Sequence, residues 1–216
     1  MPTQRSSLRR EEILAATVQQ ISVRGVSATR AADVAKALGI STGLIFYHFG
    51  SLDQLIAEAF AFAVDQDLSR LQDVVASDAP VRERMTRALV NYGPSADAGE
   101  WRIWLDGWSE SMRNEPLRDT VVRFDDEWQR GLQILLQAGK DAGVFAIAEP
   151  DMLAGAITSL MDGLSVQAIV RGASPAMRVR REATARSVVQ LLGMSAEDSA
   201  AMLADLREPA PAVHQG

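Results

Sequence analysis

The sequence predicts an all-α protein of about nine to ten helices. Apolar residues recur at intervals of three and four along most of the 216 residues, which is the spacing of one buried face of an α-helix. Short breaks rich in Gly, Pro and Ser separate these segments and match the signals that end and start helices, while strand signals do not recur. We therefore expect an N-terminal three-helix bundle that contains a helix-turn-helix, followed by a larger helical domain.

The composition is that of an ordinary soluble globular protein, with 47% hydrophobic and 23% charged residues. Zero cysteines exclude disulfides and thiolate metal sites, and two histidines leave little for zinc, so we expect no metal and no other cofactor. The N-terminus lacks the apolar core of a signal peptide, and the most apolar later stretch, 152–170, is interrupted by Asp162. The expectation is a cytoplasmic protein that does not span a membrane.

Charge is distributed unevenly along the chain. Residues 1–50 hold six basic and three acidic groups, a balance of +3, although the whole chain carries −6. A cationic segment attached to an acidic body is typical of a protein whose one end meets phosphates while the other does not.

The N-terminal helices are predicted from their apolar spacing and their end signals. Apolar residues from Ile13 to Ile21 form a stripe on a first helix, which ends at Gly25. A second helix has Thr29 as its expected N-cap and ends at Gly39, because glycine takes the left-handed C′ conformation without steric cost. Ser41 is then the expected N-cap of a third helix, after a turn of only a few residues.

The third helix is predicted to have one face in the core and one face outside. Steps of 100° place Ile45 and Phe49 on one side and Gly43 and Tyr47 on the other. The outward face would begin at the helix N-terminus, where free N–H groups and the helix dipole favour phosphate. A capping box of the form S-x-x-Q starts the following helix at Ser51. The residues predicted to contact DNA, or to cap helices beside its phosphates, are Thr29, Arg30, Ser41, Thr42, Gly43, Leu44, Phe46, Tyr47, His48 and Ser51.

This segment resembles the TetR family of bacterial transcriptional regulators. The matching residues are Thr29, Ala35, Gly39, Ile40, Ser41, Gly43, Ile45, Phe46, His48, Phe49, Ser51, Asp53 and Leu55. Two residues depart from the family pattern, because Phe46 lacks the hydroxyl of the usual tyrosine and Leu52 replaces the usual lysine. Phosphate affinity is therefore expected to be weaker or to be supplied elsewhere.

The resemblance implies a ligand-responsive, homodimeric repressor. It assigns 1–50 to a DNA-binding domain and 51–207 to a ligand-binding and dimerisation domain, within which 52–75 is a linking helix. The partners expected on this basis are a double-stranded DNA operator, a small-molecule effector and a second copy of the chain, and the tail 208–216 is expected to be disordered.

The larger part of the chain offers an aromatic cluster with two interpretations. Tryptophans at helical spacing are commonly core residues, but apolar and aromatic linings also suit small ligands, and the family resemblance favours a pocket. The predicted pocket residues are Phe62, Met85, Leu89, Tyr92, Trp101, Trp104, Leu105, Trp108, Trp128, Leu132 and Met161. The tryptophan-rich helix also resembles that of choline-responsive members, so the effector is expected to be apolar, aromatic or a quaternary ammonium held near Asp106, Glu110 or Asp162.

The last two long helices are predicted to form a two-fold, four-helix interface. Its expected residues are Leu153, Ile157, Leu160, Leu164, Val179, Ala183, Val188 and Leu191. Packing within one chain would produce the same pattern, so both interpretations stay open. Dimerisation would present two recognition helices to a pseudo-palindromic operator.

Two other classes of protein are possible from the sequence. An all-α enzyme would need a catalytic constellation, but no metal spacing, nucleophile motif or phosphate loop is found, and the only histidine outside the tail is His48. No catalytic residue is therefore predicted. The second class is a dimeric protein that sequesters small molecules and has little specific DNA affinity, which Phe46 and Leu52 make conceivable.

Overall fold

The computed structural model describes the backbone of residues 4–93 and 98–207 and the side chains of 9–93 and 101–207. Over those ranges the chain forms ten helices and no strand, which confirms the predicted all-α class. The helices are α1 (Gln4–Arg24), α2 (Ala31–Leu38), α3 (Thr42–Phe49), α4 (Leu52–Ala76), α5 (Val81–Tyr92), α6 (Ala98–Ser111), α7 (Glu115–Asp141), α8 (Pro150–Arg171), α9 (Pro175–Leu191) and α10 (Ala196–Arg207). The predicted disordered tail lies outside the described residues.

The chain divides into two compact units. The first consists of Met1–Gln66 and Gly99–Asp125, and the second of Asp67–Ala98 and Asp126–Gly216. The first unit therefore contains α6 as well as α1 to α3, whereas the sequence places a functional boundary at residue 50. The division into a DNA-binding and a ligand-binding domain remains a prediction about function.

The first unit is held together by polar contacts around an apolar centre. Arg10 on α1 forms an ion pair with Glu58 on α4, and its guanidinium carbon lies 4.8 Å from the ring centre of Phe49 on α3. Asn114 is buried, accepts the N–H of Leu117 at 3.0 Å as the cap of α7, and donates to the carboxylate of Asp53 at 3.3 Å. These contacts fix α3 and the start of α4 against α1 and the start of α7.

Close packing of α4 and α6 in the first unit requires a glycine. A Cβ atom at Gly107 would lie 2.4 Å from a ring carbon of Phe60, which is closer than carbon atoms can approach. The absence of a side chain at Gly107 thus makes room for the Phe60 ring, which is 1% exposed.

Phe62, one of the predicted pocket residues, does not face the core of its unit. Its side chain is 43% exposed, while Phe60 is 1% exposed. Steps of 100° put these two residues about 200° apart around α4, and the inward face follows Ile56, Phe60 and Val64 instead. Near its start α4 is buried on several sides, as at Leu55 and Ile56, so apolar spacing alone does not show which residues two turns later face the core.

The second unit has its own apolar core. Met85 on α5, Leu135 on α7, Ile157 on α8 and Leu192 after α9 are fully buried. Helix α10 contacts α5 and α9. Arg82 on α5 is an ion-pair partner for two carboxylates of α10, those of Asp198 at 3.7 Å and Asp205 at 3.0 Å.

Helix α8 is both long and apolar. Within the described ranges it is the one helix whose length and composition would suffice to cross a membrane, with a mean hydropathy of 1.4, and 28% of that apolar window is buried in the chain. Length and composition alone do not separate a membrane helix from a helix that covers an apolar surface of another soluble chain.

Candidate functional site

Helices α2 and α3 form the predicted helix-turn-helix. Gly39 ends α2 in the left-handed region with φ +64° and ψ 34°, and the N–H of Ile40 donates to the carbonyl of Ala35 at 3.0 Å. Ser41 is extended and accepts the N–H of Leu44 at 3.2 Å, so it caps α3 as predicted. Three residues, Gly39 to Ser41, therefore separate the end of α2 from the capped start of α3.

The two faces of α3 are as predicted. Ile45 is 0% and Phe49 4% exposed, whereas Tyr47 is 82% exposed and Gly43 lies on the surface. The rings of Tyr47 and His48 meet edge to face with centres 5.3 Å apart. Burial of one face fixes the helix, and the opposite face presents a phenol and a bare backbone to the surroundings.

Thr29 is not the N-cap of α2 and does not belong to the DNA-contact set. The residue at the N-cap is Arg30, which makes no side-chain cap hydrogen bond. Thr29 is fully buried, and its hydroxyl donates to the carbonyl of Gly25 at 2.8 Å. Helix α2 begins one residue later than expected, so the Thr29 hydroxyl bonds within the preceding turn instead. Because Thr29 is fully buried, its hydroxyl is not accessible to a phosphate. Arg30 is exposed, and its guanidinium donates to the carbonyl of Ser27 at 2.7 Å.

The predicted capping box at Ser51 is half formed. The hydroxyl of Ser51 accepts the N–H of Gln54 at 3.1 Å, which confirms the cap. The Gln54 amide donates along the helix to Glu58 at 3.3 Å, and this is the bond that replaces the expected return to Ser51. Ser51 lies at the surface, as do Ser41, Thr42 and Phe46 of the predicted contact set, while Leu44 and His48 are half-buried.

The tryptophans of α6 pack in the first unit. Trp104 meets Phe60 edge to face at 5.1 Å and Phe124 at 6.4 Å between ring centres. Trp108 lies 5.9 Å from Trp101 and 6.0 Å from Trp104. Trp101 and Trp104 are less than a tenth exposed, which is what the core interpretation of this stripe predicts. Leu105 on the same helix is half-buried.

A second aromatic cluster lies in the second unit. The ring centres of Tyr92 on α5 and Trp128 on α7 are 4.9 Å apart, with the planes at 88°. The hydroxyl of Tyr92 donates to a carboxylate oxygen of Asp162 on α8 at 2.5 Å. Burial raises the pKa of Asp162, and the hydrogen bond from Tyr92 opposes that rise. Met161, the neighbour of Asp162 on α8, is 9% exposed.

The structure thus divides the predicted pocket residues between the two units. Five belong to the first unit: Phe62, Trp101, Trp104, Leu105 and Trp108. Six belong to the second: Met85, Leu89, Tyr92, Trp128, Leu132 and Met161. Met85, Leu89 and Leu132 are buried there.

Three of the predicted interface residues are core residues of their own chain. Ile157, Leu164 and Val188 are 0%, 8% and 1% exposed, so their side chains are not available to a second subunit. This corrects the predicted interface: for these three residues, two on α8 and one on α9, packing within one chain accounts for the apolar pattern. Leu160, Val179, Ala183 and Leu191 are exposed, and Leu153 is half-buried.

Sequence reasoning missed Phe60 and the pairing of Tyr92 with Asp162. The burial of Phe60 could have been predicted, because Ile56, Phe60 and Val64 recur at intervals of four, the spacing of one helix face. The hydrogen bond between Tyr92 and Asp162 could not, since the two residues lie 70 positions apart and no local pattern links them.

These features define a class, the all-helical proteins that read DNA with a helix-turn-helix near the N-terminus. Two family models agree with that class. The model for bacterial regulatory proteins of the tetR family matches residues 13–59, and the model for the C-terminal part of BetI-type transcriptional repressors matches residues 80–193. The chain belongs to the TetR family of regulators, with a C-terminal part of the BetI type.

Individual relatives support the same assignment. BetI from Burkholderia thailandensis is 34% identical over 115 residues, which cover 51% of this chain and 58% of that protein, so the chain spans less than two thirds of this relative. PksA from Bacillus subtilis is 24% identical over 185 residues, covering 84% and 87% of the two chains.

Solved structures share the fold. A transcriptional regulator from Saccharomonospora viridis in complex with choline is 29% identical, with a TM-score of 0.73 over 82% of this chain and 94% of that one. A TetR regulator from Haloarcula marismortui has a TM-score of 0.74 at 19% identity, over 86% of this chain and 97% of that one, and shows the fold alone.

Proposed function

We propose that the chain is a homodimeric DNA-binding transcriptional repressor that a small molecule releases from a pseudo-palindromic operator. The observation that carries this proposal is the arrangement of α3, in which Ile45 and Phe49 anchor the helix while Thr42, Gly43 and Tyr47 are exposed. A helix held from one side with polar and aromatic groups on the other can enter a major groove as a rigid body.

The exposed side chains of α3 suit two kinds of DNA contact. Hydroxyls of Thr42 and Tyr47 and the free N–H groups near Gly43 can donate to phosphate oxygens. Phe46, 42% exposed, has no hydroxyl and offers an apolar ring instead, which suits a thymine methyl or a sugar. Phosphate affinity supplied by hydroxyls, backbone and Lys36 would compensate for the missing cation at Leu52.

Dimerisation would cover apolar side chains that the described part of the chain leaves exposed on α8 and α9. Leu160, Val179 and Leu191 are 38%, 69% and 44% exposed, and Met152 and Val170 are exposed by 70% and 74%. Large apolar surfaces of this kind on a soluble chain mark interaction sites. A two-fold arrangement of α8 and α9 would present two copies of α3 to one duplex.

The effector is proposed to be a small organic molecule. The S. viridis relative was solved in complex with choline, which makes small organic cations the first candidates for this chain. Release of DNA requires only that the effector bind more tightly to a conformer in which the two copies of α3 no longer fit one operator.

Gel shift on the DNA upstream of the protein's own gene tests the DNA-binding proposal. We expect saturable, sequence-specific binding that weakens with salt and that Tyr47→Ala reduces by about tenfold or more. The matched control is Val23→Ala, because Val23 and Tyr47 are both 82% exposed and belong to the same unit. Weak binding without sequence preference would overturn the proposal, as would equal affinities for the two variants.

Sedimentation equilibrium tests the dimer. The wild-type chain should be a dimer at micromolar concentration, and Leu160→Glu should produce monomers with weakened operator binding, because a carboxylate would be buried without a partner. Val122→Glu on α7, where Val122 is 51% exposed, is the control and should stay dimeric. A wild-type monomer at this concentration would contradict the dimer.

A further inference from the structure

Asn114 joins three helices of the first unit. It lies in the short turn between α6 and α7, and its backbone N–H donates to the carbonyl of Glu110 on α6 at 3.0 Å. Its side-chain oxygen accepts the N–H of Leu117 on α7 at 3.0 Å, and its side-chain amide donates to the carboxylate of Asp53 on α4 at 3.3 Å. A single residue, 5% exposed, therefore ties the start of α4 to the α6–α7 turn.

Capping of α7 alone does not explain an asparagine at this position. Serine and aspartate cap helices about as well as asparagine does. Aspartate, however, has no donor when ionised, and a serine hydroxyl ends one bond nearer the backbone. Asparagine carries an acceptor and N–H donors at the same end of its side chain, so it can cap α7 and reach Asp53 together. The bond to Asp53 is therefore the contact that distinguishes asparagine from the other capping residues.

The start of α4 is closely connected to α3. Gly50 and Ser51 are the only residues between the two helices. The N–H of Gly50 donates to the carbonyl of Phe46 at 2.8 Å, and the N–H of Ser51 donates to the carbonyl of Phe49 at 2.9 Å. A connection of two residues, both hydrogen-bonded back to α3, leaves little room for independent movement. A displacement of the first turn of α4 would therefore be transmitted to α3.

The α6–α7 turn is itself held in place by packing. Leu117 in the first turn of α7 is 0% exposed, and Gly107 on α6 lies directly against the buried ring of Phe60 on α4. Trp104 on α6 meets the same ring edge to face, with the ring centres 5.1 Å apart. Side chains packed at this density do not shift independently. The turn that carries Asn114 can therefore hold the first turn of α4 in one position.

We propose that Asn114 is a positioning residue for operator binding, because its bond to Asp53 holds α4, and through it α3, in the orientation that fits a major groove. The inference rests on the proposed function and names a residue outside the predicted DNA-contact set. Without the bond, α3 occupies the competent orientation for a smaller fraction of the time. Operator affinity then falls in proportion to that fraction.

An exchange of the two side chains tests the inference. Asn114→Asp keeps a good N-cap but sets a second carboxylate against Asp53, so repulsion replaces the hydrogen bond. Asp53→Asn combined with Asn114→Asp restores the bond with donor and acceptor exchanged. Fluorescence anisotropy measures binding to a labelled duplex from the DNA upstream of the protein's own gene. We expect Asn114→Asp to bind about tenfold or more weakly than the wild type, and the double variant to bind within about threefold of Asp53→Asn alone.

Two controls separate positioning from stability and from charge. Ser195→Ala removes the cap of α10, where the Ser195 hydroxyl accepts the N–H of Asp198 at 3.1 Å, and should lower the melting temperature without weakening operator binding. A duplex of the same length and shuffled sequence reports the electrostatic binding that any added negative charge weakens, and Asn114→Asp should change this binding by no more than about twofold. Affinities are compared at a temperature at which circular dichroism shows every variant to be folded.

Amide hydrogen exchange without DNA measures the link between Asn114 and α4 directly. Asn114→Asp should speed exchange in α3 and in the first turn of α4, because loss of the bond lets this segment open more often. The double variant should restore the protection. Unchanged exchange in Asn114→Asp would overturn the inference, whatever the affinity for DNA.

The outcomes distinguish this inference from the proposed function. If Asn114→Asp keeps operator affinity within about twofold, loses affinity equally for the shuffled duplex, or is not rescued by Asp53→Asn, the positioning role is refuted while wild-type operator binding leaves the regulator intact. A wild-type chain without sequence-specific affinity would reject the regulator. In that case, faster exchange in Asn114→Asp that the double variant reverses would still support the role of Asn114 in holding α3.

Discussion

The exposed face of α3 and the cluster around Asp162 are built in opposite ways. The exposed face of α3 takes its side chains from one stretch of eight residues, and they point away from the side that holds the helix. The Asp162 cluster takes one side chain each from α5, α7 and α8, and these side chains lie within the fold. On α3 the side chains proposed to bind DNA are therefore separate from those that hold the helix, whereas each side chain of the Asp162 cluster is part of the packing itself.

The largest effect should come from the buried side of α3. Ile45→Ala removes a fully buried side chain, and such truncations cost about 2 to 5 kcal/mol of unfolding free energy. Tyr47→Ala on the opposite side should change stability by no more than about 0.5 kcal/mol. Urea unfolding followed by circular dichroism measures both. A Tyr47→Ala variant that unfolds as readily as Ile45→Ala would show that the two faces are not separable.

A smaller effect is expected at the start of α3. Ser41→Ala removes the acceptor for the N–H of Leu44 and should cost about 1 kcal/mol, the usual loss for an N-cap. Ser41→Asn should restore most of it, because asparagine caps helices equally well. Both variants can be compared by urea unfolding. Equal loss in the two variants would mean that the hydroxyl acts in another way than as a cap.

The contrast between a face formed by one segment and a cluster formed by three helices explains what the sequence could predict. Gly39, Ser41, Ile45 and Tyr47 were all assigned correctly, because caps, glycine turns and the 100° step act over a few residues. Thr29 shows the limit of that reasoning, since a shift of one residue in the start of α2 changes a cap into a buried hydroxyl.

Contacts between side chains of helices that are distant in the sequence cannot be predicted in this way. The sequence placed Tyr92 and Trp128 in one predicted pocket and offered Asp162 as one of three acids near it, but which of these side chains meet depends on how α5, α7 and α8 pack. The predicted interface residues on α8 were only partly right for a related reason. Ile157 and Leu160 share an apolar pattern, yet one is 0% and the other 38% exposed, because periodicity identifies an apolar stripe without saying which part of it the chain itself covers.

The smallest predicted effect is a pH-dependent gain of stability in Asp162→Asn. Burial raises the pKa of Asp162 in the folded chain, so between the ordinary carboxyl value of about 4 and that raised value the folded state binds more protons than the unfolded state. The stability of the wild type should therefore fall as pH rises through this window, and at neutral pH Asp162→Asn should melt at a higher temperature. The difference should shrink below about pH 4, where the acid is neutral in both states. Thermal unfolding at pH 7 and at pH 3.5 measures both differences, and a wild type that melts above the variant at pH 7 would show that the carboxylate already has a cationic partner.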